Sequence, residues 1–514
     1  MPTYLSPGVY VEEVEAGQRP IEGVGTAVAA FVGFAEKGPL NTPTLITNWT
    51  QFTQTFGDFV EGSYLAHAVF GYIQNGGSAA YIVRIGGDSS SADAAKQLPA
   101  GPPQTVLGHY KVVAQLNGAK PADVSIEVSD SAAENPPEGA VKLTVRANGR
   151  QPEEYDPVVP DRRADKAVNI ATVVNAKSKT VKVEELAASA ALEPVANGKK
   201  QLVAPAPAAV EGVGADDYVG DVAQRTGFSG LEAIEDVTIV AVPDLMSAYQ
   251  QGAIDLETVH SVQQAVITHC ELMGNRMAVL DPPPALNAQQ IKDWRMNQAG
   301  YDSKYAALYW PWAKTFDPAS GRNILVPPSG HAAGIWARTD ETRGVHKAPA
   351  NEVVRGAIAL ETQITKAEHD LLNPIGVNCL RSFPGRGIRI WGARTLSSDP
   401  AWRYVNVRRL FNYMEESILG GTQWVVFEPN DDALWARIRR TISSFLINEW
   451  RKGALFGLTA DEAFFVKCDR ETNPAEAIDA GQVTCQIGIA PVKPAEFVVF
   501  QLSQFSGGTS LVNE

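Results

Sequence analysis

From residue 236 to residue 312, short apolar runs alternate with helical periods, and this alternation restricts the possible fold more than any other feature of the chain. The run DVTIVAVPD (236–244) reads as a strand. It is followed by Leu256, Val259, Val262, Val266, Cys270 and Met273, spaced 3, 3, 4, 4 and 3, which is one face of a helix. Gly274 stands where a C-terminal stop belongs. RMAVLD (276–281), a helical stretch around Trp294 and YAALYWPW (305–312) continue the pattern. Strands alternating with helices at this spacing predict a parallel-rich α/β sheet. A second unit of the same kind lies upstream: TAVAAFVGFA (26–35) and AAYIVRI (79–85) flank a helix over 64–74 closed by Gly76 and Gly77.

Composition changes between these two units. Residues 88–230 are rich in Ala, Val, Pro and polar side chains, with one Phe and no Trp, and carry short β-branched runs such as VSIEV and VKLTV. They read as a β-rich insertion at the surface of a discontinuous α/β core formed by 23–87 and 231–377. A C-terminal α+β unit is expected over 378–490. Its best helix spans 431–452, opened by Asn430 and two acidic residues at the positive end of the helix dipole. Leu434, Trp435, Ile438, Ile442, Phe445, Leu446 and Trp450 share one broad arc; Arg437, Arg440 and Arg451 lie opposite. Glu449 falls inside the apolar arc, where it needs a partner within the fold or on another subunit. The runs DEAFFVKCDR (461–470) and GQVTCQIGIAPV (481–492) pair as a hairpin. Both ends of the chain read as extended arms, 1–22 and 491–514. Val9 and Val11 alternate with Tyr10 and Glu12, and AEFVVFQLSQF (495–505) closes the sequence. A strand this short cannot bury itself and needs a sheet edge to join.

Charge and chemistry exclude several function classes. A net charge of −14 argues against general nucleic-acid binding, because phosphate contacts need basic surface. No apolar run reaches the ~18 residues of a membrane span, and MPTYLSPGVYVEE offers neither the basic nor the apolar part of a secretory leader. The four cysteines are dispersed and expected as free thiols, with a Cys468–Cys485 link across the hairpin as the minority alternative. Asp244 and Asp281 stand at strand ends, where α/β sheets often bind ligands. No glycine-rich phosphate loop accompanies them, so structural turns are expected. Gly23-Val24-Gly25 and Gly385-Arg386-Gly387 are fragments of a dinucleotide fingerprint and nothing more. Ser329-Gly330-His331 reads as a helix entry, and the seven histidines are scattered. No catalytic, cofactor or metal residues are assigned.

What remains is a protein with two strand-like arms, and one further stretch, residues 371–410: LLNPIGVNCLRSFPGRGIRIWGARTLSSDPAWRYVNVRRL. Together with SPGVYVEE (6–13) and AAFVGFAEKG (29–38), this stretch closely resembles the contractile tail sheath family, the outer sleeves of contractile phage tails, tailocins and related injection particles. The resemblance covers the chain outside the insertion. It implies a helical homo-oligomer around an inner tube protein, with baseplate and terminal cap proteins as further partners. It implies assembly in the bacterial cytoplasm, followed by life as part of a virion or injection particle. It also implies strand exchange between neighbours, a contact that adds main-chain pairing at a sheet edge and propagates because donor and acceptor surfaces differ.

By position the donor residues are Tyr4, Val9, Tyr10 and Val11 in one arm and Phe497, Val498, Val499, Phe500 and Leu502 in the other. The acceptor residues are Phe464, Phe465, Val466, Val483, Cys485 and Ile487. Arg437, Arg440 and Arg451 become candidates for facing the tube, and the insertion is expected to project outward. Gly17, Pro20, Gly23, Pro491 and Pro494 become candidate hinges for a sheath that rotates and compacts. An α/β enzyme with a β insertion, or another structural component of the same particle, are the alternatives.

Overall fold

The computed structural model describes residues 20–60, 62–86, parts of 104–202, 213–318 and 321–501. Its centre is a nine-stranded sheet. Six strands run parallel in the order Val377–Phe383, Ala306–Trp310, Met277–Leu280, Ile239–Ala241, Val28–Gly33, Ala79–Arg84. Antiparallel strands close both sides: Thr44–Ile46 at one, Gly387–Ile390 and then Glu352–Val353 at the other.

The parallel strands are buried on both faces, and their side chains alternate between two separate cores. Ala30, Val32, Val240, Leu280 and Leu308 join the core lined by helices Asp244–Gln250 and Leu256–Met273. Ala29, Phe31, Ile239, Val279 and Tyr309 join the core lined by Leu65–Gln74 and Ser329–Arg343. This arrangement is why the strands read as unbroken apolar runs. Helix Leu256–Met273 ends as its sequence indicates, with Gly274 in the left-handed conformation at φ 71°.

Two expected boundaries are corrected. Val377–Phe383 pairs in register with Ala306–Trp310, so a C-terminal unit starting at 378 would cut through the central sheet. The insertion also ends earlier than 230. Val213, Tyr218, Phe228 and Leu231 belong to the main core, leaving, among the described residues, two small antiparallel sheets, four- and three-stranded, within 104–202. These have an apolar centre of their own, including Ile126, Leu143, Val145, Ile170 and Val183.

The C-terminal unit packs helices Val405–Gly421 and Asp432–Arg451 against a two-stranded hairpin, Phe464–Lys467 with Gln486–Ile489. Leu434, Trp435, Ile438, Ile442, Phe445 and Leu446 fill its core as the helical arc indicates. The cap is one residue later than expected: the Asp431 carboxylate accepts the Leu434 amide at 2.7 Å, while Asn430 accepts from Trp435 Nε1 at 2.8 Å. All four cysteines are free thiols.

Candidate assembly interface

The hairpin near the C-terminus is the element that points to function. Phe464 and Val466 pack on the core of their unit, whereas Phe465, one residue out of phase, is 58% exposed. Phe464 pairs with Ile489 and Val466 with Ile487. Val483 and Cys485 precede the second strand and pack partly buried on the same core. Among the described residues this sheet has two strands and no third. Two strands alone are marginal in water, and unpaired edges invite another strand.

A candidate strand lies a few residues further along the chain. Phe497, Val498, Val499 and Phe500 are 67–85% exposed and have no regular secondary structure. Four consecutive large apolar side chains in water are the kind of exposed patch at which proteins bind one another. Leu502, and Tyr4, Val9, Tyr10, Val11 and Gly17 of the other arm, lie outside the described residues.

The expected hinge positions are held more firmly than their sequence suggests. Ile21 is buried against the C-terminal core. Gly23 sits so close to helix Val405–Gly421 that a Cβ would fall 2.1 Å from the Tyr413 hydroxyl, and the Val24 amide donates to Ser417 at 3.2 Å. Pro491 bridges to Leu455, and the Val492 amide donates to the Ala454 carbonyl at 3.3 Å. Pro20 is exposed and Pro494 half-buried.

On the basic face of helix Asp432–Arg451, Arg440 and Arg451 are exposed. Arg437 is partly spent within the fold, stacking on Trp424 at 4.4 Å and pairing with Glu428 at 3.2 Å. Glu449 finds its partners inside the subunit: Lys452 Nζ at 2.7 Å and the Tyr413 hydroxyl at 3.2 Å.

Asp244 and Asp281 act as buried brackets. Asp244 accepts from the amides of Phe34, Tyr64 and Leu65 and from the Ser63 hydroxyl, tying two strand–helix connections together. Sequence reasoning missed two ion pairs, Arg409–Asp340 at 2.5 Å and Arg394–Glu496 at 2.6 Å. Their partners are 69 and 102 residues apart, and the only local signal was the basic character of 394–409. Among the described residues, no group of three or more His, Cys, Asp or Glu is placed to hold a metal ion, and no helix is long and apolar enough to cross a membrane.

Comparison with known proteins agrees with this layout. Residues 211–396 match the model of the phage tail sheath protein central domain, and 397–505 match that of the phage tail sheath C-terminal domain. The tail sheath protein of Burkholderia phage BcepMu is 24% identical, over 96% of this chain and 95% of its own length. Other relatives align over less of their length: the tail sheath protein of Vibrio phage KVP40 is 25% identical over 55% of this chain and 44% of its own. A putative prophage major tail sheath protein of Pseudomonas aeruginosa is 27% identical over 46% of this chain and 61% of its own. Two cryo-EM structures share the fold at 23% identity and a TM-score of 0.59, each covering 98% of this chain. They are the sheath of the extracellular contractile injection system PVC and the helical sheath of the anti-feeding prophage, both in the contracted state, with 99% and 100% of those chains covered. The matched domains begin at 211 and divide at 396/397, beyond the last strand of the central sheet, as the packing of Val213 and Val377–Phe383 requires. The chain belongs to the phage tail sheath family.

Proposed function

We propose that this chain is the repeating subunit of a contractile sheath that polymerises helically around an inner tube and shortens to drive the tube through a target envelope. One observation carries the reading: among the described residues, a hairpin of only two strands and an exposed apolar segment occur in the same chain. Given to a neighbour's hairpin, residues 497–501 gain main-chain pairing and bury alternate side chains. Two such side chains contribute about 3–6 kcal/mol per contact. The N-terminal arm, with Tyr4, Val9, Tyr10 and Val11, is the second donor, and its pivot lies at Gly17 to Pro20. Donor and acceptor differ, so the contact repeats from copy to copy as a ring or helix.

Arg440 and Arg451, exposed on an acidic protein, form the surface offered to the inner tube. Baseplate and terminal cap proteins complete the particle, which assembles in the bacterial cytoplasm before it acts in a virion or a phage tail-like injection device. Removing residues 1–17 tests the arm model: a folded monomer that forms no sheath is the expected product, and normal sheaths from that variant contradict it.

A further inference from the structure

We infer that the segment 371–410 and Glu496 form an anchor that sets the direction in which the C-terminal strand leaves its own subunit. The inference rests on the strand-addition reading above and assigns positioning residues to it. Glu496 stands one residue before the exposed run that starts at Phe497. Arg394 grips its carboxylate with two prongs, Nε donating to Oε1 at 2.9 Å and an Nη to Oε2 at 2.6 Å. Asn373 Nδ2 donates to Oε1 at 2.7 Å, and the Tyr404 hydroxyl to Oε2 at 3.1 Å. Burial pushes the Glu496 carboxyl up, but the bonds from Arg394 and Asn373 outweigh it and hold the group below its ordinary value, so it stays ionised.

The grip is built on the central sheet. The Arg394 amide donates to Asn378 Oδ1 at 2.7 Å, and Asn378 Nδ2 donates back to the Arg394 carbonyl at 2.8 Å. Asn378 is fully buried in strand Val377–Phe383. Gly392 is what lets the chain lie against it: a Cβ there would fall 2.9 Å from Asn378 Oδ1 and 3.1 Å from its Cα. Tyr404 is fixed through the bonds of Thr395 to Arg403 (2.9 Å) and of Val405 to Ala393 (3.0 Å). Upstream, the Val492 carbonyl accepts from Asn406 Nδ2 at 3.1 Å. Residues 492–496 are therefore tied at both ends, Pro494 lies between the ties, and the free strand starts at Phe497.

A strand that pivots at its root explores a small volume, which raises its effective concentration at a fixed neighbouring edge and reduces the ordering lost on docking. Asn373, Arg394 and Tyr404 are positioning residues in this sense.

The test compares full-length wild type, Glu496→Ala, Glu496→Gln, Arg409→Ala and a chain ending at Glu496, all expressed alike. Sedimentation gives the ratio of polymer to monomer, and thermal melting of the monomer fraction gives stability. For Glu496→Ala, which leaves Arg394 without its carboxylate, the expected result is a lowered melting temperature in a monomer still folded at the assay temperature, with a polymer-to-monomer ratio lowered about tenfold. Glu496→Gln, which keeps an acceptor oxygen, should fall between that variant and wild type. Wild-type polymer from Glu496→Ala overturns the inference, as does an equal loss of polymer from Arg409→Ala, which lowers the melting temperature without touching Glu496. If the chain ending at Glu496 polymerises normally, the strand-addition reading itself fails. If that chain stays monomeric while Glu496→Ala assembles normally, only the anchor fails.

Discussion

At the scale of the residue, buried charge is organised to hold elements together, and it has measurable consequences. Asp281 ends strand Met277–Leu280 wholly inside the protein and accepts the Ser329 amide at 2.9 Å, at the start of a helix. Burial pushes its carboxyl up to about 7 even though that hydrogen bond pulls the other way. A carboxyl raised in the folded state binds more protons there than in the unfolded chain, so its contribution to stability is greatest below the unfolded value and is lost as pH rises through 7. Asp281→Asn keeps an acceptor and removes the titration. The melting temperature of this variant relative to wild type is expected to rise between pH 5 and pH 8, and a pH-independent difference contradicts the account. Arg409 and Asp340 form a pair in which both side chains are buried, with Arg409 also donating to the Thr26 carbonyl at 2.8 Å. Removing either partner strands the other, so Arg409→Ala should lose about 3–5 kcal/mol in urea unfolding. A loss under 1 kcal/mol would mean that the pair is reached by water. The strand-end positions of Asp244 and Asp281 were legible in the sequence as structural turns. Their partners were not, because the amides they bracket lie 210 and 48 residues away.

At the scale of the element, what could be read from the sequence was what local periodicity determines. Helix Leu256–Met273 was legible because apolar spacing and Gly274 agree on both its face and its end. Helix Asp432–Arg451 was legible by its arc, with the cap misassigned by one residue because Asn430 and Asp431 are both good caps and Asn430 is occupied by the Trp435 indole. The hairpin was legible from its two apolar runs. The boundaries near 230 and 378 were not, since they depend on which core a residue joins, and Tyr218 and Phe228 carry no local sign of that choice. The C-terminal arm makes its own prediction at this scale. A docked strand points alternate side chains to opposite faces, so the double substitutions Phe497→Asp with Val499→Asp and Val498→Asp with Phe500→Asp should differ. One pair abolishes assembly and the other is tolerated, as read by sedimentation of the polymer. Equal effects from both pairs would rule out a strand docked by one face.

At the scale of the whole molecule, an acidic chain closes a large α/β core on both faces of one sheet and leaves, among the described residues, a two-stranded hairpin and an exposed apolar segment. The discontinuous core, the small-sheet insertion and the exposed apolar run at 497–500 were visible in the sequence. The root of the C-terminal arm was not, because Glu496 is held by residues brought to it only by the fold. The most direct measurement is cryo-EM of the polymer formed by the purified chain. The account predicts a hairpin enlarged by added strands at 464–467 and 486–489, at least one of them traced to residues 497–501 of a neighbouring copy. A polymer whose hairpin stays two-stranded, with the arm folded onto its own subunit, would contradict it.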